Sequence, residues 1–253
     1  TLNGIYTTTN SGFSVAGTTT LAGNTTVNTG SGSGDITFAG TLDGAKQATL
    51  AAGTGAVFFK AAVGATTPLA GITLSSAAST TADSSVKLAK SAASGQDGLT
   101  VAAGVNDVTM TAGGSAVTGF DRDGISFLGG STNSRLSGFE VSNNGNNGMT
   151  FAAGSYTGTS ITANTIRDNG NSTTHVGNGV LVEGSNLMIG WTAAAGQTNT
   201  VANTITGNAL NGIEIRGAGA QNNTILSNSI YLNGYVDTSV PRSEEHTSEL
   251  QSR

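Results

Sequence analysis

Short segments of alternating apolar and polar residues make up most of the chain, and glycine and asparagine separate them. Gly124–Phe127 reads Gly-Φ-x-Φ, where Φ is apolar, and the same pattern returns at 148–151, 179–182 and 212–215. Alternation with period two places every second side chain on one face of a β-strand. Few segments continue for long without a glycine or an Asn-Gly turn signal. The pattern therefore predicts short strands and argues against long helices.

A second apolar pattern, Φ-x-x-Asn-x-Φ-x-x-Asn, interleaves with the first and carries asparagines at fixed offsets. Its copies are Leu136/Phe139/Val141/Asn144, Ile161/Asn164/Ile166/Asn169, Thr200/Asn203/Ile205/Asn208 and Ile225/Asn228/Ile230/Asn233. In this alignment Phe139 replaces an asparagine and Thr200 replaces an apolar residue. The second apolar positions follow one another at equal steps, except that the step from Ile166 to Ile205 is longer. The underlying period is therefore about 25 residues, and one coil carries two loop insertions, 170–178 and 190–198.

A repeat of this length predicts an all-β fold, the right-handed parallel β-helix, with three short strands per coil of about 21–26 residues. One coil cannot bury its inward face alone, so neighbouring coils stack with their strands about 4.8 Å apart. We expect the repeated asparagines to occupy coil corners in left-handed geometry and to form hydrogen-bonded ladders. We expect the glycine before each strand to permit a tight corner.

Residues 1–117 repeat more loosely than residues 118–241. We interpret the first part as less regular coils of the same solenoid, and a separate β-sandwich is the alternative. Two internal matches support the solenoid. Gly34–Phe38 with Leu42 recurs as Gly55–Phe59 with Val63, and Leu99/Val101 recur about one coil later as Ile125/Phe127.

The last segment, 242–253, differs sharply from everything before it. It reads RSEEHTSELQSR and contains no glycine. Arg242–Ser252 resembles, codon by codon, the translation of a common sequencing-adapter oligonucleotide. A short charged helix or a solvated tail is the alternative. We interpret 242–253 as non-native, and we do not use this segment to predict the fold.

Composition removes several classes of function. The chain has no cysteine, which excludes disulfides, thiolate chemistry and cysteine-based zinc sites. Its net charge of −5, without a Lys/Arg cluster, argues against a nucleic-acid partner. No apolar run approaches the roughly 20 residues that a membrane-spanning helix needs. We therefore expect neither a nucleic-acid partner nor a membrane span in this chain.

Two stretches resemble known bacterial families. Met188–Gly234 resembles right-handed parallel β-helix repeats of very large bacterial surface proteins. Gly34–Leu74 is similar to the β-strand repeats of filamentous-haemagglutinin-like and autotransporter-type exoproteins. The resemblance implies a fragment of a secreted or cell-surface rod, adhesin-like, with an extracellular carbohydrate or a host or cell-surface ligand as partner. The same coil also scaffolds lyases and phage spikes. A carbohydrate-active β-helix, similar to polysaccharide lyases or hydrolases, is therefore the alternative function.

Two unusual residues fall in the two insertions. His175 lies in the first, and Trp191, the only tryptophan, lies in the second, where the family pattern has Gly-Gly-Thr and this chain has Gly-Trp-Thr. Loops on a rigid scaffold are frequent binding sites, so His175 and Trp191 are candidate surface contacts. The alternative is that His175 is a solvated loop residue and Trp191 caps the core where the coil widens.

Carboxylates are the remaining candidates for chemistry. Asp121 and Asp123 flank Arg122, and two acids at this spacing on one side of a turn could do glycosidase work. The motifs of polygalacturonase-type β-helix enzymes are absent, however, and the remaining charged residues form no cluster in sequence. We expect Glu214 and Arg216 to form an outward surface pair. The sequence therefore predicts no catalytic residue, no cofactor and no metal, and a protein that is not an enzyme.

Overall fold

The computed structural model describes residues 1–90, 95–170, 176–190 and 202–234. Across these ranges the chain is all-β, and three parallel sheets stack as a β-solenoid of about eight turns with three strands per coil. The predicted fold class is confirmed. These ranges contain no helix long and apolar enough to cross a membrane.

Successive strands, numbered along the chain, pass from one sheet to the next, so the neighbours within a sheet come from successive coils. The first sheet contains β1 (Leu2–Thr7), β3 (Thr19–Asn28), β6 (Gln47–Ala51), β8 (Gly71–Ser76), β11 (Leu99–Val101), β14 (Ile125–Phe127), β17 (Met149–Phe151), β20 (Val180–Val182) and β23 (Ile213–Ile215), and β5 (Leu42–Asp43) pairs with β3. The second sheet contains β2 (Phe13–Val15), β4 (Ile36–Phe38), β7 (Ala56–Phe59), β9 (Ser79–Ala82), β12 (Val108–Met110), β15 (Arg135–Ser137), β18 (Ser160–Thr162), β21 (Met188–Gly190) and β24 (Thr224–Leu226). The third sheet contains β10 (Lys87–Ala89), β13 (Ser115–Thr118), β16 (Phe139–Ser142), β19 (Thr165–Arg167), β22 (Thr204–Thr206) and β25 (Ser229–Tyr231).

The early coils belong to the same solenoid as the later ones, so they do not form a separate β-sandwich. The first two sheets run without interruption from β1 and β2 into the later coils. Ile36 and Phe38 are register partners of Val57 and Phe59, as the repeat in this part of the sequence predicts. Before β10 the third side has only short or isolated pairings, such as the bridge that joins Leu42 to its repeat partner Val63.

Inward side chains form continuous columns along the solenoid because strand alternation is kept from coil to coil. In the third sheet Val141, Ile166, Ile205 and Ile230 are successive register partners, so this part of the repeat alignment is confirmed. Ile205 is fully buried, and Ile230 is partly buried in the last described coil. Aromatic residues stack in the same way, for instance Phe127 on Phe151 with ring centres 5.0 Å apart.

One position of the repeat alignment is wrong. The first apolar column runs from Ile161 to Ile189 and from Ile189 to Ile225, so Ile189 takes the place that the alignment gave to Thr200. Thr200 itself lies outside the described residues. The coil is therefore shorter than its neighbours before Ile189 and longer after it. When one part of a coil is shorter and another part is longer, the spacing of the repeat along the sequence does not reveal either change.

The glycines before the strands of the first sheet are needed for close packing. Gly148 does not have a positive φ. A Cβ there would lie 2.6 Å from Ile166 Cγ2, 2.7 Å from Asn169 Nδ2 and 2.7 Å from the carbonyl oxygen of Gly179. Gly179 meets the equivalent atoms of the next coil. The expectation that these glycines serve tight corners is therefore corrected: a side chain would collide with the core and with the next coil.

The repeated asparagines form two buried ladders, as the sequence predicts. In one ladder, Asn144 Nδ2 donates to Asn169 Oδ1 at 2.9 Å, and Asn169 Nδ2 donates to Asn208 Oδ1 at 3.0 Å. In the other, Asn164 Nδ2 donates to Asn203 Oδ1 at 3.0 Å. These asparagines do not have the left-handed geometry that we expected for them. The residue before Asn144, Asn164 and Asn169 takes it instead, since φ is +56° at Asn143, +54° at Ala163 and +55° at Asp168.

Candidate functional site

The two candidate contact residues, His175 and Trp191, lie outside the described residues, which leaves their role a prediction. The residues that flank their loops are described. The first insertion falls between β19 and β20, where Gly170 and Gly177 approach each other closely. The second falls between β21 and β22. The two insertions are therefore placed at different corners, one on each side of the third sheet.

The structure separates the two acids that flank Arg122. Asp121 is exposed; it pairs with Lys90 and accepts the backbone N–H of Gly95. The hydrogen bond from Lys90 holds the pKa of Asp121 below its ordinary value. Asp123 is buried, and its Oδ1 accepts the backbone N–H of Asn147 at 2.9 Å. The two carboxylates have different environments, so they do not form the paired acids that the sequence suggested.

Asp123 belongs instead to a third polar ladder, which has one member in each of five coils. The members are Asp97, Asp123, Asn147, Asn178 and Asn211, and each directly precedes a glycine. At every step the backbone N–H of the later residue donates to Oδ1 of the earlier one, over 3.1, 2.9, 2.8 and 3.1 Å. The ladder thus satisfies inward polar groups along one corner of the solenoid.

The first step of this ladder contains two carboxylates. Burial raises the pKa of Asp97 above its ordinary value, and the carboxylate of Asp123 raises it further. The hydrogen bond from the backbone N–H of Asp123, the positive charge of Arg122 and a hydrogen bond from the Ser126 side chain lower this pKa. The Nε atom of Arg122 lies 3.7 Å from Asp97 Oδ1. The Arg122 side chain is 65% exposed, so solvent screens its attraction for the Asp97 carboxylate.

A shallow groove of about 310 Å³ opens beside this step on the first sheet. Leu128, which is exposed, forms one wall. The polar groups that line the groove are Gln47, Thr73, Gln96, Asp97, Thr100 and Arg122. They combine hydrogen-bond donors, acceptors and one charge of each sign. The lining suits a small polar group, and we take the groove as a candidate site among the described residues.

Thr73 and Thr100 belong to a longer column of hydroxyl groups. Register pairing places one hydroxyl residue per coil at the same lateral position on the first sheet: Thr26, Thr49, Thr73, Thr100, Ser126 and Thr150. Strand stacking repeats such groups about every 4.8 Å. The groove thus lies within a regular line of uncharged hydrogen-bonding side chains.

The remaining charged candidates bind one another across coils. Arg216 Nη2 lies 2.9 Å from Glu183 Oε1 and Arg216 Nη1 lies 3.8 Å from Glu214 Oε1, so the nearer partner comes from the preceding coil. Glu214 Oε2 also accepts the side-chain amide of Asn178 at 2.7 Å. The surface pair predicted between Glu214 and Arg216 is therefore the weaker part of a three-residue group. Within the described ranges no three His, Cys, Asp or Glu side chains are grouped to hold a metal ion.

Comparisons with known proteins give no match: no family model, no curated protein and no solved structure corresponds to this chain. The fold thus defines the class, a three-sheet parallel β-solenoid.

The sequence contained a signal for the third ladder that the repeat alignment did not use. An Asp or Asn directly before the glycine recurs in all five coils, from Asp97 to Asn211. Asp97 was missed because the residues after it do not begin a copy of the asparagine pattern. Only the stacking of coils shows that Asp97 and Asp123 face each other.

Proposed function

We propose that this chain is a structural rod segment of a large secreted or cell-surface protein, which displays adhesive elements located elsewhere in that protein. The observation that carries the proposal is the continuity of the solenoid. Two sheets extend through all the coils, and side-chain ladders fix the register between neighbouring coils. In a solenoid each coil contacts only its neighbours, so length is added without changing the cross-section. A display rod needs this property, because it must extend away from a surface at constant thickness.

Removing one coil in register tests the rod directly. Deleting residues 141–165 joins Glu140 to Ile166, which is the register partner of Val141. The shortened chain should fold, and its length in small-angle X-ray scattering should decrease by about 4.8 Å. A matched deletion of 141–164 places Thr165 at the inward position of Val141 and turns Ile166 outward, so it breaks the register and should prevent folding. A folded product from both deletions, or from neither, would contradict a modular rod.

Display itself needs a cellular measurement. The chain is fused between an outer-surface anchor and an N-terminal epitope, and protease is added to intact cells. The proposal expects antibody to reach the epitope and the rod to resist cleavage between its coils. Loss of the epitope through cuts within the described strands would contradict the proposed role.

A neutral carbohydrate is a second candidate partner, and the groove is the observation that favours it. Its donors and acceptors, together with the exposed Leu128, match a ligand that has many hydroxyl groups and an apolar ring face. The test is affinity electrophoresis in gels that contain laminarin, mannan or hydroxyethyl cellulose. Retardation that Arg122→Ala abolishes and Arg135→Ala preserves would support this site. Equal mobility with and without every polysaccharide would exclude it for these ligands.

A further inference from the structure

The step between Asp97 and Asp123 lacks a donor that the later steps of the same ladder have. From Asn147 onward, Nδ2 of each asparagine donates to Oδ1 of the preceding side chain, over 3.3, 3.2 and 3.1 Å. Asp123 has Oδ2 in the place of that nitrogen. Ser126 Oγ donates to this oxygen at 3.4 Å, whereas Thr150 Oγ1 accepts from Asn147 Nδ2 at 3.1 Å. The side chain of Asp123 therefore has no N–H to donate to Asp97, and the backbone N–H of Asp123 and the hydroxyl of Ser126 are the donors that remain at this step.

The surroundings supply little positive charge. Strands β8, β11, β14 and β17, which stack on either side of this corner, carry no titratable side chain. Asp121 and Lys90 bind each other nearby. Arg122 lies 3.7 Å from Asp97 but is mostly exposed. A proton is the smallest donor that completes the step, and an O–H···O⁻ bond between carboxyl groups is among the strongest hydrogen bonds in proteins.

We propose that Asp97 keeps its proton in the folded chain and donates it to the carboxylate of Asp123 across the coil boundary, which makes this boundary a pH-sensitive latch. With the proton bound, the ladder is complete from Asp97 to Asn211. When Asp97 loses this proton, repulsion between the two carboxylates weakens the contact between the coils that contain β11 and β14. The latch goes beyond the rod function and does not depend on what the rod displays.

The direction of the pH effect follows from linkage. The pKa of Asp97 is raised in the folded chain, so the folded state binds this proton more tightly than the unfolded state. The stabilisation is fully present below the pKa of the unfolded chain. It is lost as the pH rises through the folded-state pKa. An aspartate paired with a cation behaves in the opposite way, since its pKa is depressed.

Carboxyl titration by NMR tests whether Asp97 keeps this proton. In the full chain with ¹³C-labelled aspartate, the Asp97 carboxyl should titrate above the ordinary aspartate range. In Asp123→Asn the midpoint of Asp97 should fall, because an amide donor replaces the second carboxylate. Asp83→Asn, which removes an exposed partner of Lys60, is the control and should leave Asp97 unchanged. An Asp97 midpoint that is ordinary in the wild type, or unmoved in Asp123→Asn, would overturn the proposal.

Thermal unfolding tests the latch. Asp123→Asn should raise Tm by about 2–4 °C at about pH 8 and by less at about pH 5. Asp97→Asn removes the same repulsion and provides a second reading should Asp123→Asn fold poorly. Asn147→Asp should create a similar defect one coil further along and lower Tm more at high pH. A Tm change of the same size at both pH values in the two aspartate variants would show that no titrating pair controls this boundary.

Discussion

Ile205 is the register partner of Ile166 in the third sheet, although these two residues lie further apart in the chain than the next pair of partners, Ile205 and Ile230. The additional residues lie between β19 and β20 and between β21 and β22. Cross-coil hydrogen bonds and inward apolar side chains keep the register on both sides of the insertions. The core therefore tolerates large changes of loop length in this coil.

Ile205→Ala should lower the free energy of unfolding by about 2–5 kcal/mol, because it leaves a cavity at a fully buried position. Thr206→Ala on the same strand should change it by about 0.5 kcal/mol or less, because Thr206 points outward. Urea unfolding of both variants measures the difference. Equal losses would show that the register of β22 is wrong.

Deleting residues 171–175 should leave the stability of the rod within about 1 kcal/mol of the wild type, because loop-closure entropy varies slowly with length. Gly170 and Gly177 already approach each other, so a short link closes the coil. Hydrogen exchange at Thr204–Thr206 provides the readout. Loss of protection there would mean that the loop packs on the solenoid.

Gly148→Ala should destabilise the chain by about 1–3 kcal/mol, since the new Cβ would collide with Ile166, Asn169 and Gly179. Gly113→Ala is the matched control, because no atom lies within 4 Å of its Cβ position and its φ is not positive. Chemical denaturation should show little change or slight stabilisation for the control. Similar destabilisation by both substitutions would refute close packing as the reason for glycine at position 148.

Thr80→Val should stabilise the chain by about 1 kcal/mol, because valine has nearly the same shape and removes the cost of an unpaired buried polar group. Thr80 is fully buried on β9, and its hydroxyl has no hydrogen-bond partner among the described residues. Thr81→Val, at the neighbouring outward position, should have almost no effect. A lower denaturation midpoint for Thr80→Val would indicate that the hydroxyl is bonded in solution.

Incubation with pectin or alginate, with or without Ca²⁺, should release neither reducing nor unsaturated ends. Asp121 and Asp123 have separate environments, and Oδ1 of Asp123 is occupied by ladder hydrogen bonds. Standard reducing-sugar and ultraviolet assays of the purified chain measure this. Activity that disappears in Asp123→Ala would overturn the prediction and favour a carbohydrate-active β-helix.

The amino-acid sequence by itself determined the class of fold, the coil period, most of the inward columns and the two asparagine ladders. These features are encoded locally, because alternation along a strand fixes which side chains face inward, and a regular repeat fixes how coils align. The tertiary structure decided which residue fills a column when loop lengths vary, as Ile189 does in place of Thr200. It also brought Asp97 onto Asp123 and showed that Gly148 is required by the neighbouring coil. These contacts join residues of different coils. They are determined by the pairing of strands between neighbouring coils, because spacing along the chain does not fix which residues face each other.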